Sequence, residues 1–234
     1  MAGRIAYYGG IVRDGLVLYL DAAKKDSYPG SGTVWRDLAT NIITGSLVNG
    51  PIFSTANGGS ISFDGSNDQV LIENTPAQST GIRLGTGTTR WAVNAWVRTT
   101  VGNSSLGQSS ILSNRSGGPV ASLMGIGTGG VMKYHHYDST WLLKTGSISV
   151  TDNQWHMLSW VNLNNNTMDM YVDGAFNINV SSSTPGGNPV DIIGASWAAS
   201  FSGSIASLSI YIGSTFTPTQ VLQNYNATKP RFGL

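Results

Sequence analysis

Two long apolar strands in succession, between residues 153 and 174, constrain the fold of this chain more than any other feature. From Trp155 to Leu163 both alternating sets of side chains are largely apolar or aromatic. Because successive side chains of a strand point to opposite faces, such a strand must be covered on both sides. The asparagines at 164–166 predict a turn into a second strand, and Asp173-Gly174 predicts a tight turn into a third. The segment therefore predicts three neighbouring antiparallel strands of a large sheet.

The composition favours an all-β chain with one short helix. Of the 234 residues, 30 are glycine and only 11% are charged. Long amphipathic helices need Lys and Glu on their wet face, so this composition predicts many short strands and turns in one domain. The exception is Thr217-Pro-Thr-Gln220, which has the pattern of a helix capping box and precedes an apolar stripe of Val221, Leu222 and Tyr225.

Other alternating segments bring the predicted total to about a dozen strands. Residues 60–73 predict a hairpin whose turn spans Gly65 to Asp68. Residues 91–98 predict a central strand, and its wetter face carries Asn94 and Trp96.

A closing strand is predicted at residues 205–212. In this strand Ala206 and Leu208 point inward, and Tyr211 points outward. The same alternation predicts a core that the strands share, and its members are Trp155, Met157, Val161, Met170, Val172, Leu208 and Ile210.

Charge, cysteine content and hydropathy exclude several classes of protein. The formal net charge is +1 and the 13 Lys and Arg residues are scattered, so no nucleic-acid partner is expected. The absence of cysteine excludes disulfides and thiolate metal sites. No apolar run approaches the roughly 20 residues that span a bilayer, and residues 1–10 lack the apolar stretch of a secretory signal. We therefore expect no membrane insertion and a chain that stays where it is made.

Several short motifs follow one another along nearly the whole chain. They are Gly15-Leu-Val-Leu-Tyr-Leu-Asp-Ala-Ala23, Ser27-Tyr-Pro-Gly-Ser-Gly32, Gly59-Ser-Ile-Ser-Phe-Asp-Gly-Ser-Asn-Asp68, residues 92–97, Trp155-His156, Met170-Tyr-Val-Asp-Gly174, residues 201–212 and residues 220–227. In this order they resemble the laminin G-type jelly-roll domains of the concanavalin A-like lectin/glucanase superfamily, of the kind found in bacteriophage structural proteins. The resemblance implies a two-sheet antiparallel jelly-roll β-sandwich with one short C-terminal helix. This domain would span residues 13–234 and follow an arm or edge segment at residues 1–12.

The resemblance also implies a function, namely a non-enzymatic virion structural protein that decorates a capsid or forms part of a tail or fibre. Such a protein would be made in the host cytoplasm, reside on the virion and display a domain able to bind a host-surface glycan. Other virion proteins would be its partners, contacted through residues 1–12 or through residues 229–234. An arm folded back along its own sheet edge is the alternative to such a contact. A carbohydrate-binding module not tied to a virion and a glycan hydrolase are the two other hypotheses.

Catalytic residues are not expected. Glycanases that resemble this fold use two Glu and one Asp in a Glu-x-Asp-x-x-Glu strand, whereas Glu73 is the single glutamate of this chain. Asp169 and Asp173 could in principle act as a catalytic pair, but strand alternation and the Asp-Gly turn explain both residues without chemistry. The imidazoles at His135-His136 and His156 lack the ligand spacing of a zinc site and the oriented partner of a catalytic serine. The sequence therefore predicts no enzyme and no required cofactor.

Two sets of residues remain as candidate binding sites. Asp64, Asn67 and Asp68 offer oxygen ligands on a tight loop, which suits calcium, but these residues suit a hairpin turn equally well. Aromatic residues in loops can stack on sugar rings, and the candidates are Tyr134, Tyr137, Trp141 and Trp197. Packing beneath a loop or at a subunit contact is the alternative for these aromatics.

Overall fold

Two antiparallel sheets build the protein. The computed structural model describes residues 10–74, 82–84, 89–102, 109–114, 122–138, 140–163, 167–181, 190–196 and 200–234. Its strands are β1 (Leu16–Asp21), β2 (Val34–Arg36), β3 (Ile43–Val48), β4 (Ile52–Ser54), β5 (Ser60–Asp64), β6 (Gln69–Asn74), β7 (Trp91–Arg98), β8 (Ser109–Ser113), β9 (Ser122–Ile126), β10 (Val131–Asp138), β11 (Thr140–Ser149), β12 (His156–Asn162), β13 (Thr167–Val172), β14 (Ala175–Ser181), β15 (Ile192–Ile193) and β16 (Ser202–Ile212). The described part also has one α-helix, α1 (Pro218–Thr228), and 3₁₀ turns at Ala56–Gly58, Thr128–Gly130 and Lys229–Phe232.

Each sheet contains eight strands. The order in the first sheet is β14-β13-β12-β7-β16-β5-β4, with β1 also paired to β16. The order in the second sheet is β11-β10-β9-β8-β15-β6-β3-β2. The sheets pack face to face around one apolar core, so the predicted jelly-roll sandwich is confirmed. The described residues hold more strands than predicted, and β2 and β4 among them are only three residues long.

Strand β12 is covered on both faces, as its sequence predicted. Leu158 and Trp160 belong to the core between the sheets. Met157 and Val161 face the opposite way, into a second apolar cluster that also contains Val221 of α1. All seven predicted core residues are buried, but they are divided between these two clusters.

The second cluster overturns two predictions about which side chains face solvent. Asn94 and Trp96, predicted to lie on a wetter face of β7, are only 5% and 2% exposed. Trp96 Nε1 donates a hydrogen bond to Thr228 Oγ1 of α1 at 2.7 Å, so the helix covers this face. Tyr211, predicted to point outward, is fully buried in the same cluster.

A β-bulge corrects the predicted alternation of the closing strand. The register between β16 and β7 shifts between Ile205 and Ser207. An extra residue in one strand of a pair turns the side chains that follow it to the other face. Ala206 therefore lies in the second cluster, whereas Leu208 lies in the core between the sheets.

The hairpin predicted at residues 60–73 is wrong. Strand β5 pairs with β4 and β16 in the first sheet, whereas β6 pairs with β3 and β15 in the second. The turn at residues 64–68 thus carries the chain from one sheet to the other. Two short alternating strands with a polar turn fit either arrangement, so the sequence pattern alone does not distinguish them.

Helix α1 begins as predicted. Thr217 Oγ1 accepts the N–H of Gln220 at 3.3 Å, and Gln220 Oε1 accepts the N–H of Thr217 at 2.8 Å. The buried residues of the helix are Val221 and Asn224, while Leu222, predicted in the apolar stripe, is 46% exposed. The helix is eleven residues long, and nowhere in the described ranges does a helix reach the length and apolar character needed to cross a membrane.

Residues 10–12, the described part of the predicted arm, lie against the protein's own domain. The N–H of Val12 donates to Asn224 Oδ1 at 2.8 Å, and its carbonyl accepts a hydrogen bond from the Tyr211 hydroxyl at 3.2 Å. Val12 is buried in the second cluster. Residues 1–9 lie outside the described residues, and their predicted contact with a virion partner stays a prediction.

The C-terminal turn completes the cover of the second cluster. The centroid of the Phe232 ring lies 4.2 Å from that of Trp96 and 4.8 Å from that of Trp155. Stacked and tilted aromatic pairs at such distances add to the stabilisation that burial alone provides. Phe232 therefore fixes the last residues of the chain against strands β7 and β12.

Arg231 ties the same turn to the opposite edge of the sheet. Its Nη1 lies 2.6 Å from Asp21 Oδ1, and its other nitrogens donate to the carbonyl oxygens of Asn57 and Gly59. Asp21 is only 4% exposed. The guanidinium thus neutralises a buried carboxylate and joins β1 to the 3₁₀ turn at Ala56–Gly58.

His156 lies between two carboxylates at one end of β12. Its Nδ1 lies 2.7 Å from Asp173 Oδ2, and its Nε2 lies 3.1 Å from Asp152 Oδ1. The hydrogen bond to Asp173 is the main reason that the pKa of His156 is raised above its ordinary value, and the neighbouring Asp152 adds to this effect. Asp173 Oδ1 also accepts the N–H of Met157 at 2.8 Å. The imidazole therefore links the start of β12 to the turn after β13.

Replacing Phe232 by Ala should lower the free energy of unfolding by about 2–4 kcal/mol, because it removes a partly buried ring from between two tryptophans. The measurement is urea unfolding followed by tryptophan fluorescence. Leu234→Ala is the matched control, since Leu234 is 52% exposed, and it should change the stability by less than about 0.5 kcal/mol. Equal effects of the two substitutions on the free energy of unfolding would contradict the conclusion that Phe232 holds the C-terminal turn against the sheet.

His156→Gln should reduce stability below pH 6.5 and have a smaller effect at higher pH. Folding raises the pKa of His156, so the folded protein binds the proton more tightly than the unfolded chain. This stabilisation is fully present below the unfolded pKa of about 6.5 and is lost as the pH rises through the folded pKa.

The measurement is the difference in Tm between wild type and His156→Gln from pH 5.5 to pH 9. Because both proteins contain the other histidines, this difference reports the contribution of His156. A difference that stays constant over this range would refute the role of the proton.

Candidate functional site

The predicted sugar-stacking aromatics do not form one described surface. Tyr134 is fully buried in the core between the sheets, with its ring centroid 6.1 Å from that of Trp91. A ring at this depth cannot stack on a sugar from solvent. Tyr137 and Trp141 are register partners across β10 and β11, but their side chains lie outside the described residues. Trp197 also lies outside them, so these three stay predictions.

The predicted calcium loop is a turn stabilised by its own hydrogen bonds. Asp64 Oδ1 accepts the N–H of Ser66 at 2.8 Å, and Asp68 Oδ2 accepts the N–H of Asp64 at 3.0 Å. The bond from Ser66 is the main reason that the pKa of Asp64 is lowered, whereas burial raises the pKa of Asp68. The carbonyl of Asn67 accepts a hydrogen bond from Asn49. Calcium at this loop stays a prediction, and the described ranges contain no group of three or more His, Asp or Glu side chains arranged to hold a metal ion.

The carboxylates considered for catalysis are separated and engaged with neighbouring groups. Glu73 lies in the second sheet, where it accepts a hydrogen bond from Ser46 at 3.3 Å. Asp169 lies in the first sheet and accepts hydrogen bonds from Asn179 Nδ2 at 2.6 Å and from the Tyr171 hydroxyl at 3.1 Å. Each of these carboxylates thus has a structural role in its own strand.

The candidate site that the structure adds is a surface cleft of about 390 Å³ between residues 22–31 and residues 53–58. We call it the aromatic cleft. Its apolar wall is formed by Tyr28 and Phe53, whose ring centroids lie 5.1 Å apart and whose planes meet at 38°. Exposed Lys25, Ser31 and Thr55 also line it. The cleft therefore combines aromatic surface with hydroxyl and ammonium groups.

Local hydrogen bonds hold the loop that carries Tyr28. The Tyr28 hydroxyl donates to the carbonyl of Gly32 at 2.7 Å, and burial raises the pKa of this phenol, which keeps it a neutral donor. The Ser27 hydroxyl donates to the carbonyl of Arg36 at 2.6 Å and accepts the N–H of Asp21 at 3.1 Å. The loop is thereby attached to both β1 and β2, and the ring of Tyr28 has a fixed position.

Phe53 reaches the aromatic cleft through strand pairing. It lies in the short edge strand β4, opposite Ile61 of β5. Its ring is only partly buried, and Gly30 approaches closely enough that a Cβ there would lie 3.6 Å from Phe53 Cε1. Sequence reasoning missed this pair because Tyr28 and Phe53 are distant in sequence. The Ser27-Tyr-Pro-Gly-Ser-Gly32 loop was the available signal, since a tyrosine in a turn-rich loop favours a binding surface.

Chemically, the aromatic cleft suits a molecule that has one apolar face and several hydroxyl groups. Its volume lies within the range of small-molecule sites, and such sites place a few polar groups around an apolar surface. Among the described residues that line it, Lys25 is the one with a charged side chain. This lining therefore holds no carboxylate pair that could act as acid and base.

Several solved structures share this fold. The binding domain of Paraclostridial Mosquitocidal Protein 1 has a TM-score of 0.67 at 13% identity, covering 92% of this chain and 52% of that chain. Domain 4 of AbnA, a GH43 extracellular arabinanase from Geobacillus stearothermophilus in complex with arabinotriose, has a TM-score of 0.63 at 16% identity, covering 90% and 98%.

A third structure belongs to botulinum neurotoxin type C, whose cell entry depends on interaction with two ganglioside molecules. It has a TM-score of 0.66 at 11% identity and covers 93% of this chain and 52% of that chain. The present chain thus spans about half the length of the two toxin chains, whereas it covers nearly the whole arabinanase domain.

In sequence, no curated protein gives a significant match to this chain. A family pattern does match, over residues 64–222, which is more than half of the chain. This pattern describes the concanavalin A-like lectin/glucanases superfamily, and the chain belongs to that superfamily.

Proposed function

We propose that this protein is a non-enzymatic glycan-binding domain and that the aromatic cleft holds the sugar. The observation that carries the proposal is the partly exposed Phe53 ring beside Tyr28, in a cleft that Ser31 and Thr55 also line. A sugar ring presents C–H groups on one face and hydroxyls at its edge. An aromatic ring can pack against that face while the polar groups bond the edge.

The structural relatives support binding over catalysis. The superfamily includes lectins as well as glucanases, so membership alone is compatible with either function. Among the structures with this fold, one is a domain in complex with arabinotriose and another is a toxin binding domain. Glu73 lies in the second sheet, whereas Asp169 lies in the first and Asp173 in the turn after β13. The aromatic cleft has no acidic side chain in its described lining.

The virion role implied by the resemblance to bacteriophage structural proteins stays a prediction. A glycan-binding domain on a virion would contact the host surface, so this role is compatible with the proposed function. Mass spectrometry of purified virions tests it directly. The contact of the chain termini with virion partners is a separate prediction, tested by deleting residues 2–9 and measuring occupancy on particles.

Phe53→Ala should weaken glycan binding at least tenfold, about 1.4 kcal/mol, because it removes the ring against which the sugar packs. The measurement is a glycan array followed by isothermal titration calorimetry with the oligosaccharides that bind the wild type. Phe176→Ala is the matched control, since Phe176 is a 57% exposed ring on β14, at the opposite edge of the same sheet.

The control variant should bind like the wild type. If Phe53→Ala keeps full affinity for every bound glycan, or if Phe176→Ala loses as much affinity, the aromatic cleft is not the binding site.

A further inference from the structure

A second cleft, of about 310 Å³, lies beside the aromatic cleft. The two clefts share Ala23 as a lining residue, and the chain from Lys24 to Lys25 separates them. We call the second one the cationic cleft, because Arg13, Lys24 and Arg231 line it while Asp21 is its one acidic lining residue among those described. Because they share Ala23, the two clefts adjoin each other on the surface.

Arg231 does not contribute free charge to the cationic cleft, because Asp21 neutralises it. Asp21 Oδ1 accepts hydrogen bonds from Arg231 Nη1 and from the N–H of Ala23, and Oδ2 accepts one from the Tyr19 hydroxyl. Both oxygens of this buried carboxylate are thus bonded within the protein. The charges that remain at the two clefts are Arg13, Lys24 and Lys25.

These three cations are exposed, and none of them forms a direct ion pair with a described side chain. No described residue forms a hydrogen bond or an ion pair with the guanidinium of Arg13 or with the ammonium groups of Lys24 and Lys25. Asp14 and Asp26 adjoin them in sequence, but neither lines a cleft. Within the described lining of the two clefts, these three cations therefore face no carboxylate other than Asp21, which Arg231 already engages.

Unpaired cations beside an apolar binding surface favour a ligand with a negative group. A guanidinium matches the planar geometry of a carboxylate with two parallel hydrogen bonds, and an ammonium group binds oxyanions as a point charge. The field of such a cluster also attracts anionic ligands from a distance, and salt screens this attraction.

We propose that the glycan bound by this protein is acidic: one sugar packs against Phe53 in the aromatic cleft, and a carboxylate or sulfate of the same oligosaccharide lies in the cationic cleft near Arg13 and Lys24. This inference rests on the proposed function and specifies the chemical class of its ligand. Carboxylate and sulfate share the oxyanion chemistry that these side chains recognise.

The test is an array of neutral, uronate-containing, sialylated and sulfated oligosaccharides, followed by calorimetry with the bound acidic sugars and with their methyl-esterified or desulfated forms. The wild type should prefer the acidic forms by at least about tenfold at low salt, and the preference should shrink as salt is raised. Comparison of the uronate and sialylated arms with the sulfated arm identifies which oxyanion is bound.

Arg13→Gln and Lys24→Gln should each lower the affinity for the acidic form by about three- to fivefold and leave the affinity for the neutral form unchanged. Lys144→Gln removes the same charge from β11 of the second sheet and should have no effect on either. Arg13 and Lys24 are exposed, so thermal unfolding should show that Arg13→Gln and Lys24→Gln both fold.

Failure of this inference is distinguishable from failure of the proposed function. Binding of neutral glycans with equal or higher affinity, lost in Phe53→Ala but insensitive to Arg13→Gln and Lys24→Gln, overturns the acidic ligand and leaves the glycan-binding role intact. An array on which no oligosaccharide binds overturns both.

Discussion

The apolar outer face of the first sheet is the constraint on which the rest of the structure depends. Strands β7, β12 and β16 carry apolar side chains toward the second sheet and also away from it. A sandwich of two sheets covers one face of each sheet, so a third layer must cover the other. Here residues 10–12, helix α1 and the C-terminal turn supply that layer, although they come from the two ends of the described chain. The fold is therefore complete only when both ends have docked on the sheet.

The third layer also supports the proposed binding surface. Arg231, held in place by the docking of Phe232, bonds the carbonyl oxygens of Asn57 and Gly59 and the carboxylate of Asp21. Those partners border the two segments that line the aromatic and cationic clefts. Loss of the guanidinium would leave Asp21 as an uncompensated buried charge, which is typically strongly destabilising. The geometry of the clefts and the closure of the sheet are thus linked through one side chain.

The sequence predicted the features that depend on local pattern. The apolar side chains in both alternating sets from Trp155 to Leu163 were sufficient to predict that both faces of β12 are covered. The capping pattern from Thr217 to Gln220 located the start of α1. Prediction failed where a distant segment decides the environment, as at Tyr211, which α1 and Val12 bury. It also failed where one inserted residue reverses the alternation, as at Ala206. The contact of Tyr28 with Phe53 depends on loop closure and strand pairing together, and no periodicity in either segment encodes it.

The aromatic cleft has one consequence for how such a domain can change. Tyr28 is buried and bonded to its own loop, whereas Lys25, Ser31 and Thr55 are exposed. Substitutions at exposed positions away from caps and networks usually alter stability by less than about 0.5 kcal/mol. The exposed residues at the rim of the cleft, Lys25, Ser31 and Thr55, can therefore be substituted one at a time without loss of the β-sandwich beneath them. Under the proposed glycan-binding function, substitutions at the rim would change which ligand is bound, while Tyr28 keeps its place in the loop.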